Sequence, residues 1–407
     1  MRILILGINY VPEPIGIGPY TTGLAEALAK AGHEVRVVAG KPYYPAWRVA
    51  EEFARPGYAR AVAGGVAITR CPLYVPRRPS GPRRILHHLS FALAAAGPML
   101  AAAVRWRPDV VLCVAPSLMA APLAKLAARI AGARAWLHVQ DFEVEAAFAT
   151  GLITPGGRAA RAALGFQAGA LRGFDLLSSI SPQMCGKLVA LGCPESHVAE
   201  LRNWAETDRV RPLAGPSPYR AEWGIAAPVV ALYSGNIANK QGIELIVEAA
   251  RALAHRPDIA FAVCGDGPQK AALVAAAAGL PNIRFHDLQP AERLGDLLGL
   301  ASIHLLPQLA GAADLLLPSK LTNMLASGRP VVATAAPGTA LAAEVEGCGL
   351  VTPPGDAAAF AAAIARLADD TALARTLGAA ARARAEQRWS REAILGRLVT
   401  LVGERLS

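Results

Sequence analysis

Residues 1–20 read MRILILGINYVPEPIGIGPY, and the order of their parts indicates the fold. The near-continuous apolar run over residues 2–10 predicts a β-strand that is buried on both faces. A helix is predicted to begin at Pro19 or Tyr20. In the turn between them, Gly16 and Gly18 allow backbone amides to approach a phosphate or sugar oxygen without a Cβ in the way. A plain strand-to-helix connection is the alternative interpretation of this turn.

The same alternation of short β-branched runs and Ala/Leu-rich helical stretches continues along the chain. It predicts α/β architecture: two units in series, each with a parallel sheet covered on both faces. Further strands are predicted at residues 34–40, 66–73, 109–115, 135–140, 176–181, 229–235, 259–264, 283–287, 303–307 and 331–334. Three prolines within residues 212–218 interrupt the pattern. We therefore predict domains over residues 1–210 and 211–390, followed by a terminal helix over 391–407.

Composition limits the classes of partner. The chain has 407 residues, 53% hydrophobic and 18% charged, which is enough for two buried cores and excludes a mainly disordered protein. Its net charge of +10 points to an anionic partner: a phosphorylated small molecule, an acidic membrane surface or a nucleic acid. Only 6% of the residues are aromatic, which disfavours a stacking platform for nucleic acid. We expect no nucleic acid partner.

The six cysteines lack metal-binding spacing and resemble incidental thiols of a reducing compartment. The N-terminus has the pattern of a strand and lacks the features of a signal peptide, and no uninterrupted apolar run reaches about 18 residues. These features predict a cytoplasmic protein.

The excess charge is concentrated in residues 53–108, which contain nine arginines and no acidic residue. The centre of this segment, residues 85–104, is apolar and helix-like, as in a helix that lies at a membrane surface. The residues predicted to contact a membrane flank this centre: Arg77, Arg78, Arg83, Arg84, Arg105, Trp106 and Arg107. A core helix whose arginines are solvated or bind substrate phosphates is the alternative.

Polar residues follow several predicted strands, at the sheet edge where open α/β proteins bind ligands. In the first half, His138 and Asp141 leave a strand and could orient or deprotonate a hydroxyl; a structural histidine is the alternative. Asp141 and Glu143 form no complete metal site, and we expect no metal.

In the second half, a loop with Gly235, Asn236 and Lys240 could bind a diphosphate, and Gly265, Asp266 and Gly267 form a second tight turn between a strand and a helix. Ser319 and Lys320 begin a predicted helix, where a lysine opposes the helix dipole and calls for a compensating anion.

Taken together, these motifs resemble the family 4 glycosyltransferases of the GT-B fold. LHVQDFEVEAAF at 137–148 and PSKLTN at 318–323 are most similar to bacterial exopolysaccharide enzymes of the colanic-acid-type fucosyl and N-acetylfucosaminyl transferase group. The resemblance covers essentially the whole chain. It implies two Rossmann-like domains facing a cleft, a nucleotide-sugar donor on the C-terminal domain, an acceptor on the N-terminal domain, and a final helix that crosses back to the first domain.

The resemblance also implies roles for single residues. Gly16 and Gly18 match a loop near the donor phosphates and the acceptor, and His138 matches the active-site histidine, with Asp141 as a second catalytic candidate. Lys240, or Gln241 in a strict alignment, matches the phosphate-binding lysine. The remaining donor-binding candidates are Gly235, Asn236, Gly265, Asp266, Gly267, Leu288, Ser319, Lys320 and Asn323.

The chain departs from the family pattern at two places. Asn236 stands where the family has an arginine, and the two glutamates of the E-x7-E pair are replaced by Leu315 and Asn323, with Asp314 one residue out of register. We infer that Lys320, at its helix N-terminus, supplies the charge that Asn236 lacks, and that Asn323 bonds the ribose through its amide.

The expected activity is transfer of a sugar, such as fucose or N-acetylfucosamine, with retention. The donor would be a UDP- or GDP-sugar, and the acceptor a polyprenyl-diphosphate-linked saccharide of exopolysaccharide or O-antigen synthesis. No cofactor is expected, and the location would be peripheral, on the inner face of the plasma membrane. A nucleotide-binding oxidoreductase on a double Rossmann scaffold and a non-catalytic sugar- or lipid-binding protein are the alternatives. Thr21 in place of the third glycine of G-x-G-x-x-G counts against the oxidoreductase.

Overall fold

The computed structural model describes residues 1–14, 16–77, 80–149, 156–205, 207–237, 241–309 and 319–406. The chain forms two compact units: unit 1 contains Met1–Asn203 and Leu395–Ser407, and unit 2 contains Trp204–Ile394. The boundary predicted after residue 210 therefore falls inside unit 2. The reason is local packing, because Ala205 N–H donates to Trp389 O at 2.6 Å and Val210 is fully buried in the core of unit 2.

Unit 1 is built on an eight-stranded sheet in the order β3-β4-β2-β1-β5-β6-β7-β8. The strands are β1 Arg2–Gly7, β2 Glu34–Gly40, β3 Ala59–Ala63, β4 Val66–Cys71, β5 Val110–Ala115, β6 Arg134–Val139, β7 Leu176–Ser179 and β8 Val198–Glu200. Neighbouring strands are parallel except β3 and β4, which are antiparallel. Residues 3–6 of β1 have no exposed surface, as the apolar run predicts.

The helices of unit 1 cover this sheet. They are α1 Gly18–Lys30, α2 Gly81–Arg105, α3 Ala121–Ala131, α4 Glu143–Ala149, α5 Arg158–Leu171 and α6 Pro182–Ala190. By length and composition alone, α2 could cross a membrane. Here Phe91, Ala95, Met99 and Ala103, each four residues apart, are fully buried in the core, whereas Leu93 on another face is 68% exposed.

Unit 2 has a six-stranded, all-parallel sheet in the order β11-β10-β9-β12-β13-β14. The strands are β9 Val229–Ser234, β10 Ile259–Cys264, β11 Ile283–His286, β12 Ile303–Leu306, β13 Val331–Thr334 and β14 Gly349–Thr352. The helices are α7 Tyr219–Glu222, α8 Glu244–Ala252, α9 Lys270–Ala276, α10 Leu294–Gly299, α11 Ser319–Ala326, α12 Ala340–Val345, α13 Ala357–Asp369 and α14 Thr371–Trp389. A final helix, α15 Arg391–Arg405, starts in unit 2 and continues into unit 1.

The predicted α/β class with two parallel sheets is confirmed, and every strand predicted from the sequence is present. Three strands were missed: β3, β8 and β14. Each lies at an edge of its sheet, where a strand is short and need not be apolar on both faces. Helix α1 begins at Gly18, slightly before the predicted start.

Candidate active site

The loop after β1 is held by a buried carboxylate that sequence reasoning did not single out. Glu13 is 2% exposed, and it accepts hydrogen bonds from Asn9 Nδ2 at 2.9 Å and from the backbone N–H groups of Tyr43 and Tyr44 at 3.0 Å each. A Cβ on Gly16, whose φ is +75°, would lie 3.3 Å from the Tyr44 ring. The glycine therefore lets the loop close against the segment after β2.

His138 lies near the end of β6 and is only 1% exposed. Its Nδ1 is 2.8 Å from Ser178 Oγ on the neighbouring strand β7, and Ser178 Oγ also accepts the Trp136 Nε1–H at 2.8 Å. Burial lowers the pKa of His138 to about 4, so the imidazole is neutral at neutral pH. A neutral imidazole oriented by a hydroxyl can exchange a hydrogen bond with a substrate.

Two acidic residues follow His138 at the same strand end. Asp141 lies just after β6, and Glu143 begins α4 and accepts the Leu118 N–H at 3.1 Å. Burial, together with the neighbouring charge of Asp141, raises the pKa of Glu143 to about 7. Glu143 can therefore hold or release a proton near neutral pH, a property that the sequence did not indicate.

Two buried polar atoms at this edge have no hydrogen-bond partner within the described part of the chain. They are Ser117 Oγ, shortly after β5, and Gln140 Nε2, directly after β6. The other end of the Gln140 amide, Oε1, accepts from Asn203 Nδ2 at 2.8 Å, so the amide is fixed. A buried donor without a partner is costly unless a water or ligand satisfies it, which marks this edge as a place for a polar ligand.

In unit 2, the two glycine loops after β9 and β10 stack backbone against backbone. Gly235 N–H donates to Cys264 O at 3.0 Å, and Ile237 N–H donates to Asp266 O at 2.8 Å. A Cβ on Gly265 would lie 1.9 Å from Gly235 O, and one on Gly267 would lie 2.3 Å from Ile237 O. Close packing of the loops therefore requires both glycines, whether or not a ligand is bound.

Lys320 points from the first turn of α11 to the loop after β9. Its Nζ donates to Tyr233 Oη at 2.9 Å and lies 4.2 Å above the Tyr233 ring. The Tyr233 hydroxyl has Asn236 O and Gln241 Oε1 as acceptors, each 2.6 Å away. A Cβ on Gly235 would be 3.5 Å from Lys320 Nζ, so the ammonium group lies beside the predicted donor loop.

Burial lowers the pKa of Lys320 to about 7, because no carboxylate of the described residues offsets the desolvation of the ammonium group. Asn323 lies one helical turn further along α11. Sequence reasoning found Lys320, and it named Gln241 only as the alternative to Lys240. It missed Tyr233, whose hydroxyl lies between the two side chains and whose contact with Lys320 depends on how α11 packs near β9.

Asn236 and Asp266 lie in the same stacked loops as Gly235 and Gly265. Asn236 and Asp266 are exposed, and Leu288, after β11, is 72% exposed. The backbone of Ser319 begins α11, and Gly18 begins α1. Lys240, Arg78, Asp314 and Leu315 lie outside the described residues.

The residues predicted to contact a membrane differ in exposure. Arg77, Arg83, Arg84, Arg105 and Arg107 are exposed, as expected for a charged surface. Trp106 is an exception, since its ring is 6% exposed, its Nε1–H donates to Glu34 Oε1 at 2.8 Å, and Arg36 lies 4.3 Å above it. The prediction that Trp106 meets lipid headgroups is therefore wrong. Within the described ranges, no three His, Cys, Asp or Glu side chains form a metal-binding group.

Comparison with known proteins decides the family. Residues 16–204 match the model of the glycosyl transferase 4-like domain, and residues 228–370 match glycosyl transferases group 1. The colanic acid biosynthesis glycosyl transferase WcaI of Escherichia coli is 43% identical over 342 residues, covering 82% of this chain and 83% of that protein. The chain belongs to the family 4 glycosyltransferases. The predicted enzyme class, a hexosyltransferase, is confirmed, and the oxidoreductase alternative is not supported.

Solved structures agree on the fold of this glycosyltransferase. The sucrose-phosphate synthase of Thermosynechococcus elongatus superposes with a TM-score of 0.71 at 20% identity, covering 99% of this chain and 98% of that one. Anabaena HepE, in complex with UDP and glucose, gives 0.69 at 16% identity, covering 99% of both chains. At these identities the likeness concerns the fold alone, and it confirms the predicted GT-B fold.

Proposed function

We propose that this glycosyltransferase moves a hexose from a UDP- or GDP-sugar to a polyprenyl-diphosphate-linked saccharide during exopolysaccharide or O-antigen synthesis, with retention. Fucose and N-acetylfucosamine are the proposed sugars. The name of the 43% identical relative, a colanic acid biosynthesis enzyme, supports the pathway class, and HepE, which binds UDP and glucose, supports the donor class.

The observation that carries the proposal is the half-buried ammonium group of Lys320 beside Gly235. In glycosyl transfer from a nucleotide-sugar, negative charge develops on the departing diphosphate, and a positioned cation in a poorly solvated place stabilises it. Tyr233 fixes the direction of the Lys320 side chain through its hydroxyl. The backbone amides at the start of α11 add partial positive charge from the same helix end.

For unit 1 we propose the acceptor site at the carboxyl edge of β5 and β6. His138 would bind a hydroxyl close to the transferred sugar, and Asp141 and Glu143 are the groups that could take its proton. Ser117 Oγ and Gln140 Nε2 offer the unpartnered polar atoms that a saccharide could satisfy. The departing diphosphate oxygen is a further candidate acceptor for that proton in a retaining, front-face reaction.

We also propose peripheral association with an anionic membrane on its inner face. The exposed arginines of residues 77–107 and the exposed apolar residues of α2, Ile85, Leu86, Leu89 and Leu93, support it. Such a surface combines electrostatic attraction with shallow apolar insertion. No metal is needed in this proposal, and transfer in the presence of a chelator tests that part.

The test of function is transfer from a panel of UDP- and GDP-sugars to a polyprenyl-diphosphate saccharide, with NMR of the product to establish the anomeric configuration. We expect one donor to be used, and Lys320→Ala to reduce the rate about 100-fold or more. Lys30→Ala removes an exposed lysine at the end of α1 and serves as the matched control. Absence of transfer from every donor, with a nucleoside diphosphate still bound, would favour the non-catalytic alternative.

A further inference from the structure

A groove in unit 1 is not used by the proposed catalytic site. It has a volume of about 860 Å³ and lies between α2 and the face formed by β1, β2, β4 and β3. Its floor contains Leu4, Val38, Ala67 and Val62, and alternating residues of paired strands project from one face of a sheet. The volume is that of a pocket for a small ligand, roughly 300–1,000 Å³.

The helix side of the groove is open because its residues are small. Gly97, Pro98, Ala101 and Ala102 face the sheet there, and none of them fills the space. Pro98 lacks an N–H, so Ala94 O loses its normal helical partner, and the Tyr58 hydroxyl donates to Ala94 O at 2.8 Å instead. Tyr58 thereby forms one wall of the groove, and the groove is built into the fold.

Charge distinguishes the rim of the groove from its floor. Arg60 and Arg105 are exposed at the rim, and neither forms an ion pair with any described residue. Glu34, the one acid among the lining residues, already lies within 3.5 Å of Arg2 and Arg36 and accepts from Trp106. An apolar floor with an unpaired cationic rim complements an anionic amphiphile.

The position of the groove separates it from the acceptor site. Glu34 and Val35 at the start of β2 and Arg105 at the end of α2 line one end of it, and Arg60, opposite Thr69, lies near the carboxyl end of β4. The groove therefore runs along the outer strands β3, β4, β2 and β1. His138 lies on β6, two strands beyond β1 in the sheet. The occupant is therefore distinct from the reacting end of the acceptor.

We propose that this groove binds one acyl chain of an anionic phospholipid, with the lipid phosphate on Arg60, and so anchors unit 1 to the membrane surface. The proposal rests on the membrane association proposed above and names its site. The exposed apolar residues of α2 lie on the same helix as Gly97 and Ala101 of the groove. The acyl chain would therefore leave the bilayer next to the residues that the membrane proposal places at its surface.

The first experiment measures binding of lysophosphatidylglycerol, below its critical micelle concentration, to the full-length protein by calorimetry. We expect saturable binding of one molecule, binding weaker by about tenfold or more for zwitterionic lysophosphatidylcholine, and none of glycerophosphoglycerol, which has no acyl chain. Equal affinity for the two lysolipids, or absence of saturable binding, would overturn the proposal.

Matched substitutions locate the site. Ala101→Phe fills the groove, whereas Val104→Phe adds bulk at a 61% exposed position of α2 outside the groove lining. Arg60→Ala removes a rim charge, and Arg55→Ala removes an exposed arginine outside the groove lining. We expect each groove variant to weaken lysophosphatidylglycerol binding about tenfold or more, and each control to leave it within about twofold. Equal effects in a variant and its control would overturn the assignment.

Two further measurements keep the outcomes separate. Photo-crosslinking of the wild-type protein with a diazirine-bearing acyl chain should label residues 58–69 or 97–105; labelling elsewhere overturns the groove even if a variant fails to fold. Sedimentation with phosphatidylglycerol vesicles tests membrane association by itself. Vesicle binding without lysolipid binding overturns the groove proposal alone. Absence of both kinds of binding overturns the groove proposal and the membrane proposal. Glycosyl transfer to a soluble acceptor tests the catalytic proposal separately.

Discussion

Lys320 combines burial with a positive charge in unit 2. Its pKa is lowered to about 7 by desolvation, and a bound diphosphate would favour the charged form and raise that pKa. Nucleoside diphosphate binding should therefore take up protons, and affinity should fall by up to about tenfold per pH unit as the pH rises above 7. Calorimetry in buffers of different ionisation enthalpy measures the uptake. Lys320→Arg stays charged, so its affinity for the nucleoside diphosphate should not change with pH over this range. An affinity of the wild-type protein that does not change with pH contradicts the assignment.

His138 tests the proposed acceptor site in unit 1. The imidazole is neutral, buried and oriented by Ser178, so His138→Ala should lower kcat by roughly 100-fold or more if it positions the reacting hydroxyl. Circular dichroism and nucleoside diphosphate binding should be unchanged. Ser178→Ala should give a smaller loss of kcat, together with a stability loss of about 1–3 kcal/mol, because it also leaves the Trp136 N–H unpartnered. Near-wild-type turnover of His138→Ala would remove it from the site.

The residues found from the sequence are those that stand in local motifs, such as Gly265 and Lys320. Those that were missed act through contacts between residues distant in the sequence: Tyr233 meets Lys320 from 87 positions away, and Ser178 meets His138 from 40. Glu13 binds backbone N–H groups 30 and 31 positions away. Spacing along one chain cannot show such partners, because strand order and helix packing bring them together.

Elements were predicted well where burial dictates composition. The central strands are apolar on both faces, and their runs are visible in the sequence. The edge strand β3, by contrast, contains Val62 at 78% exposure and pairs on one side only, so its sequence does not resemble a buried strand. The boundary between the units was misplaced for a related reason, because the proline-rich stretch follows a segment already packed into unit 2.

The stacked glycine loops give an element-scale prediction. Gly265→Ala places a Cβ within 1.9 Å of Gly235 O, a backbone atom that cannot move without separating β9 from β10. We expect a loss of more than about 3 kcal/mol in the stability of unit 2, measured by denaturant unfolding. Gly279→Ala, with φ of +82° and no atom within 4 Å of the new Cβ, isolates the cost of backbone strain and should lose only about 1 kcal/mol. Equal losses would show that the loops do not pack as described.

At the scale of the whole molecule, the chain leaves unit 1 after Asn203 and returns to it at Leu395. The returning half of α15 is attached by polar and apolar contacts. Arg397 Nε donates to Glu200 O at 3.1 Å, Arg405 Nη1 donates to Ser196 O at 2.8 Å, and Leu398 is fully buried. Unit 1 therefore cannot complete its packing until unit 2 has been synthesised.

This connection predicts that a substitution at the end of the chain destabilises the beginning of it. Leu398→Ala should cost about 2–5 kcal/mol and increase hydrogen exchange in β7 and β8, while exchange in β9 and β10 stays unchanged. Glu404→Ala, at an exposed position of the same helix, is the control and should alter neither. Faster exchange confined to unit 2 would contradict this account, because the helix would then be stabilising the unit from which it departs.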